Sequence, residues 1–145
     1  MSLNEEEIQA VVAYRMEKSY VTLDEAKDMI ATKHWNLAIQ RMYYACFYMA
    51  SALLISSGCS VHTHNGVVGQ LGLRFVTKGL LSKDEGRLYS RLLQNRITGD
   101  YNDFFDFAEE DVDPLFEPTK ALVAKLASLI TIVSFPEKPE MNQNA

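Results

Sequence analysis

An all-α, up-and-down helical bundle of about five helices is what this sequence predicts, and three observations carry that reading. Apolar residues recur at steps of three and four through most of the chain. Gly and Pro number only 7 and 4, fewer than an all-β fold wants. The β-branched run Ile130 to Phe135 has no second strand to pair with. A length of 145 residues suits one domain with its own core. We place that domain at residues 1–135 and a polar tail at 136–145.

The elements follow in order. Residues 4 to about 30 form the first helix, with Ile8, Val11, Val12, Met16, Leu23, Ala26 and Ile30 near helical spacing and Glu5–Glu7 in the first turn. Residues 33–57 form a second. There Trp35, Ile39, Met42, Cys46, Met49 and Leu53 make one stripe, and Tyr43, Phe47, Ala50 and Leu54 a second. A helix apolar on two adjacent faces is a central one. Its third stripe, Arg41, Tyr44, Tyr48 and Ile55, carries polar tips on apolar bodies and suits a pocket wall or partner surface.

Gly58 suits the position after that helix. Thr63 or Ser60 caps a third helix at about 63–77, where Gly66, Gly69 and Gly72 suggest a close backbone neighbour, and Gly79 ends it. Ser82 with Glu85 forms a capping box for a fourth helix to about residue 98, ended by Gly99. A loop with bulky anchors spans Asp100–Asp106. Asp106 and Glu109 mimic another capping box, and Pro114 and Pro118 predict a kink or break before a last helix to about Ser134.

Charge is distributed unevenly. The net value of −5 argues against a general polyanion binder. Residues 74–99 nevertheless sum to +4 and residues 100–117 to −8. Acids at a helix start account for much of the second block. The charge-free stretch Met42–Leu73 is broken by Ser56–Ser60 and by His62 and His64, so its apolar part is too short to span a membrane. The N-terminus has neither the basic start nor the apolar run of a signal peptide. Two cysteines, Cys46 and Cys59, make no CxxC pair and read as free thiols in a reducing cytoplasm.

Several chemistries are set aside by missing patterns. There is no Gly-rich phosphate loop, no GxGxxG, no HExxH and no Glu-x-x-His. His62 and His64 are too few for a metal site, and His34 reads as structural or solvated. The acids at 100–117 lack the EF-hand order, so no metal and no cofactor is expected.

Four segments together carry a resemblance: Ala38-Ile39-Gln40-Arg41-Met42-Tyr43-Tyr44-Ala45-Cys46-Phe47, Ala52-Leu53-Leu54, Thr63-His64-Asn65-Gly66 and Arg96-Ile97-Thr98-Gly99-Asp100-Tyr101. They resemble small prokaryotic HEPN-domain proteins (higher eukaryotes and prokaryotes nucleotide-binding) over about residues 5–135. The resemblance implies a helical bundle that dimerises with its signature motif at the dimer groove. It also implies a small nucleotidyltransferase as partner, in a toxin–antitoxin or defence-type pair. Catalytic relatives are metal-independent ribonucleases with Arg, four to six residues, then His. No histidine follows Arg96 here.

The first expectation is therefore a non-catalytic binding module, a cytoplasmic homodimer holding a nucleotide or RNA near Arg41, Tyr44, Arg96, Asp100 and Tyr101. Planar Arg and Tyr suit phosphate contact and base stacking. A second is a ribonuclease toxin with a noncanonical set, Arg96, Asp100 and His64, the last entering from another helix. A third is a purely structural helical dimer, in which Arg96–Asp100 is a plain helix-end ion pair and Tyr101 packs beneath it.

Overall fold

A computed structural model describes residues 3–61, 63–102 and 104–132. His62, Asp103, the end of the last helix at Ser134 and the 136–145 tail lie outside the described residues. Five α-helices follow one another: α1 (Glu5–Ala31), α2 (Trp35–Ser56), α3 (His64–Leu71), α4 (Lys83–Tyr101) and α5 (Glu109–Ile132). A π-helical turn, Gly72–Val76, extends α3. No strand occurs among the described residues, and the all-α bundle is the fold.

The centre is α2, which touches α1, α3, α4 and α5. Ile39, Met42, Cys46, Met49 and Leu53 of its first stripe are fully buried, as are Tyr43, Ala50 and Leu54 of the second. Small residues let its neighbours approach: Ala38, Ala45 and Ala52 are also fully buried. Against Ala45, α1 sets a buried Ser19 whose hydroxyl donates to the Ala45 carbonyl at 2.6 Å. That bond satisfies the Ser19 hydroxyl, which is fully buried. Burial lifts the Cys46 thiol far above its ordinary range, so it behaves as a small apolar side chain.

Capping explains the helix starts. Asn4 and Glu7 form a reciprocal capping box on α1, and Ser82 and Glu85 form the expected one on α4. Thr63 caps α3 by accepting from the Gly66 N–H at 2.9 Å. A Cβ at Gly66 would stand 2.7 Å from that Thr63 oxygen, so this glycine keeps the cap intact. Gly69 and Gly72 have nothing within 4 Å of a Cβ, which corrects the expectation of a close backbone neighbour along that row.

Three boundaries differ from expectation. First, Gly99 does not end α4; the helix runs on to Tyr101, and the Phe107 ring packs where a Gly99 Cβ would point, 3.1 Å away. Second, Asp106 does not cap α5. Its carboxylate faces Asn36, while Asp111 accepts from the Ala108 N–H at 2.9 Å. Third, α5 passes through Pro114 and Pro118 without a break. The two prolines are one turn apart on an exposed face, where water can solvate the carbonyls they leave unbonded.

The link between α4 and α5 is pinned to the start of α2. Asn36 accepts from the Phe107 N–H at 2.8 Å, and Phe105 and Phe107 stack edge to face at 4.7 Å. This anchors the C-terminal end of α4 beside α2. Leu53→Ala, at the fully buried centre, is expected to cost about 2–5 kcal/mol, read as a lowered urea midpoint with unchanged slope.

Candidate functional site

Polar tips and one buried charge converge where α4 and α3 meet α2. Tyr43, Tyr44 and Phe47 lie at the middle of α2, and their rings are 5.2–6.0 Å apart. Arg96 of α4 lays its guanidinium carbon 5.5 Å from the centroids of both Tyr43 and Tyr44. Its side chain is only 10% exposed. A charge so nearly buried needs compensation. The two ring faces provide some, and Asp100, one turn on, receives one N–H at 3.3 Å. The Arg96 Nε–H is buried and has no acceptor among the described residues.

Burial alone would lower the Arg96 pKa. Tyr44, the Asp100 hydrogen bond and charge, and Tyr43 together outweigh it, and the net shift is upward. Arg96 is a fixed cation at any working pH. Its five N–H groups are oriented by the ring platform, and only the one on Asp100 is engaged in a side-chain hydrogen bond.

His64 joins the same platform from the first residue of α3. Its ring lies 4.7 Å from Phe47, 5.6 Å from Tyr43 and 5.8 Å from Tyr44. Its Nδ1 shares a 2.7 Å hydrogen bond with the Tyr43 hydroxyl. Burial, then the positive charge of Arg96, push the His64 pKa below 6.5, so the imidazole is neutral at pH 7. Tyr43 moves the other way, to about 12, chiefly because burial disfavours phenolate. Beneath it, the buried Tyr89 hydroxyl lies beside that of Tyr43 without a hydrogen bond of good geometry.

Of the residues singled out in the sequence, Arg96, Asp100, Tyr44 and His64 come together here. Arg41 borders the cluster: its guanidinium carbon is 5.6 Å from the Tyr44 ring, and Glu25 of α1 pairs with it at 3.1 Å. Tyr101 does not pack beneath the Arg96–Asp100 pair. It is 75% exposed at the end of α4, and the rings under Arg96 are Tyr43 and Tyr44. Tyr43, Phe47 and Tyr89 were not foreseen in the site. Tyr43 belongs to a core stripe, and only its phenol tip reaches the polar cluster. The adjacent pair Tyr43-Tyr44 was the available signal, because neighbouring residues on a helix diverge by about 100° and can grip one cation from two sides.

Among the described residues no three His, Cys, Asp or Glu side chains gather in a way that could hold a metal ion, and no helix is long and apolar enough to cross a membrane. A separate cavity of about 660 Å³ opens between α3, α4 and α5 over Leu71, Leu81, Leu122 and Leu126, with Arg87 and Arg91 at its rim.

A family model for the HEPN domain matches residues 12–129, which contain the whole cluster. A UPF0332 protein of Thermotoga maritima is 33% identical over 128 residues, covering 88% of this chain and 96% of that one. A protein of Methanocaldococcus jannaschii named "Putative toxin MJ0605" is 32% identical over 112 residues, covering 77% of this chain and 81% of its own. With a family model matched over residues 12–129 and a relative one-third identical along nearly its whole length, this helical bundle belongs to the HEPN domain family.

Proposed function

We propose that this chain is a HEPN-type RNA- or nucleotide-binding module, working as a homodimer within a toxin-like pair whose other member is a small nucleotidyltransferase. The observation that carries the reading is Arg96, nearly buried yet laid across two tyrosine rings, with most of its donors left over. A guanidinium so positioned matches phosphate oxygens in pairs. Tyr44, half-buried beside it and faced by both Arg96 and Arg41, adds the aromatic surface that a base would stack against once an arginine turns to a phosphate. Asp100 balances part of the Arg96 charge through a single long hydrogen bond, which a phosphate would displace.

The homodimer is supported by what lies beyond the site. Tyr101 and Phe104 are 75% and 99% exposed just past Arg96. Two aromatic rings left exposed this close together suit the centre of a protein–protein contact, where Tyr and Phe are enriched. The two-protein pairing is supported by family membership and by the relative named as a toxin.

His64 favours a second reading, metal-independent RNA cleavage. When the imidazole donates its Nδ1–H to the Tyr43 oxygen, Nε2 is a free base, kept neutral by burial and by Arg96. It would take the 2′-hydroxyl proton while Arg96 bears the phosphate charge. Arg96 and His64 would then stand in for a motif whose histidine is absent after Arg96.

Three outcomes are expected. Arg96→Met keeps the stem on the rings and removes the charge. It should weaken binding of a labelled single-stranded RNA by roughly 10- to 150-fold in fluorescence anisotropy, the worth of one charged hydrogen-bonded contact, with the circular-dichroism spectrum unchanged. Undiminished binding by this variant refutes the site. RNA incubated with the protein in EDTA distinguishes the two readings: under the binding reading it stays intact, and cutting abolished by both Arg96→Met and His64→Gln would establish the enzyme instead.

The third outcome concerns pH. Because the folded His64 pKa lies below its unfolded value of 6.5, the unfolded chain binds more protons between the two. Its stabilising contribution is complete above the unfolded value and is lost as pH falls below it toward the folded one. The melting temperature should therefore decline as pH falls below about 6.5, less steeply in His64→Gln. Equal slopes in the two proteins would show that His64 carries no such shift.

A further inference from the structure

The ring-and-cation contacts do not stop at Tyr44. Tyr48, one turn further along α2, has its ring centroid 5.8 Å from that of Tyr44. The Lys18 ammonium of α1 then sits 5.2 Å from the Tyr48 centroid and 5.6 Å from that of Tyr14. From Arg96 the order is thus cation, ring, ring, cation, ring, crossing from α4 over α2 to α1. Tyr44 and Tyr48 are half-buried, and Tyr14 is 64% exposed.

Helix packing alone does not call for this arrangement. Lys18 forms no ion pair among the described residues, and its helical neighbours Tyr14, Arg15, Val21 and Thr22 include no acid. Tyr14 lies largely in solvent, where a ring of that size contributes little to the core. Of the cations along the row, only Arg41 and Arg96 have carboxylate partners, Glu25 and Asp100. The rest of the surface is on balance acidic, with a net charge of −5 for the chain.

We propose that this row is a binding track for a single-stranded RNA chain, which leaves the Arg96 site over Tyr44 and runs across Tyr48 and Lys18 to Tyr14. The proposal rests on the RNA reading of the Arg96 site and extends it from one nucleotide to a strand. Rings alternating with cations are what a single strand recognises, since every base has a π-face and every linkage a charge. A peptide partner would have to be acidic and aromatic at matching intervals. A duplex keeps its bases stacked inside and could not use the rings.

The test compares a dinucleotide with an octanucleotide of 2′-O-methyl uridylate, which 2′-hydroxyl chemistry cannot cut, by fluorescence anisotropy at one low salt concentration. The wild type is expected to hold the octanucleotide at least tenfold more tightly. Tyr14→Ala is expected to weaken the octanucleotide by about 5- to 150-fold, the worth of one stacked base by alanine substitution, and Lys18→Gln to weaken it by a smaller factor, both leaving the dinucleotide unchanged. Tyr14→Phe, which keeps the ring, should restore the length dependence. Equal affinity for both lengths, or an octanucleotide Kd unmoved by Tyr14→Ala and Lys18→Gln while Arg96→Met still abolishes binding, overturns the track and leaves the Arg96 site standing. If the wild type holds neither probe, or Arg96→Met affects neither, the site and the track both fall.

Discussion

Everything in this molecule follows from the need to cover α2. From Met42 onward that helix has no charged side chain, and its first two stripes are almost wholly buried. Each large apolar side chain so buried is worth roughly 1.5–3 kcal/mol, so leaving either stripe in water would outweigh the few kcal/mol by which a domain of this size is stable. Four helices wrap it, and the small residues Ala38, Ala45 and Ala52 let them approach. The one face left half open is the third stripe, Arg41, Tyr44, Tyr48 and Ile55. The candidate site is the part of α2 that the bundle leaves uncovered.

Arg96 shows how that opening is tuned. An exposed i,i+4 ion pair contributes about 0.3–0.5 kcal/mol, too little to bring a guanidinium out of water. Two ring faces add on the order of 0.5–2 kcal/mol each when partly desolvated. The side chain is therefore held by tyrosines more than by Asp100, and the carboxylate can be exchanged for another anion without dismantling the seat. The same charge depresses protonation of His64 nearby. Burial first, and this cation second, thus keep the neighbouring imidazole neutral, while the same cation holds Asp100.

The bundle was legible because its evidence is local. The stripes of α2, the Ser82–Glu85 capping box and the αL turn at Gly58 each depend on residues within a few positions of one another. The π-turn at Gly72–Val76, the run of α5 through two prolines and the openness around Gly69 and Gly72 depend on what packs where, and periodicity cannot show that. The site divides the same way. Arg41 and Tyr44 were readable from the third stripe of α2, and Arg96 and Asp100 from the motif that carries the family resemblance. His64 reaches the cluster only because Thr63 caps α3 at an angle set by the α2–α3 turn. Lys18, with Tyr14 beside it, reaches Tyr48 because α1 packs on α2 where Ser19 meets Ala45.

The acidic balance of the chain sharpens the selectivity of such a site. A polybasic surface takes any polyanion, because counterion release rewards charge without regard to shape. Here the run of acids at 100–117 stands directly after Arg96, and Asn36 ties it to the start of α2. A duplex offers its phosphates in two rows and would bring many of them near those carboxylates, with no base faces to offset the repulsion. Under the proposed reading, a single strand would pass its few linkages by Arg96, Arg41 and Lys18 with its bases against the rings between. A net charge of −5 leaves little bulk electrostatic attraction, so on that reading stacking has to supply much of the affinity, and the acids would disfavour a duplex.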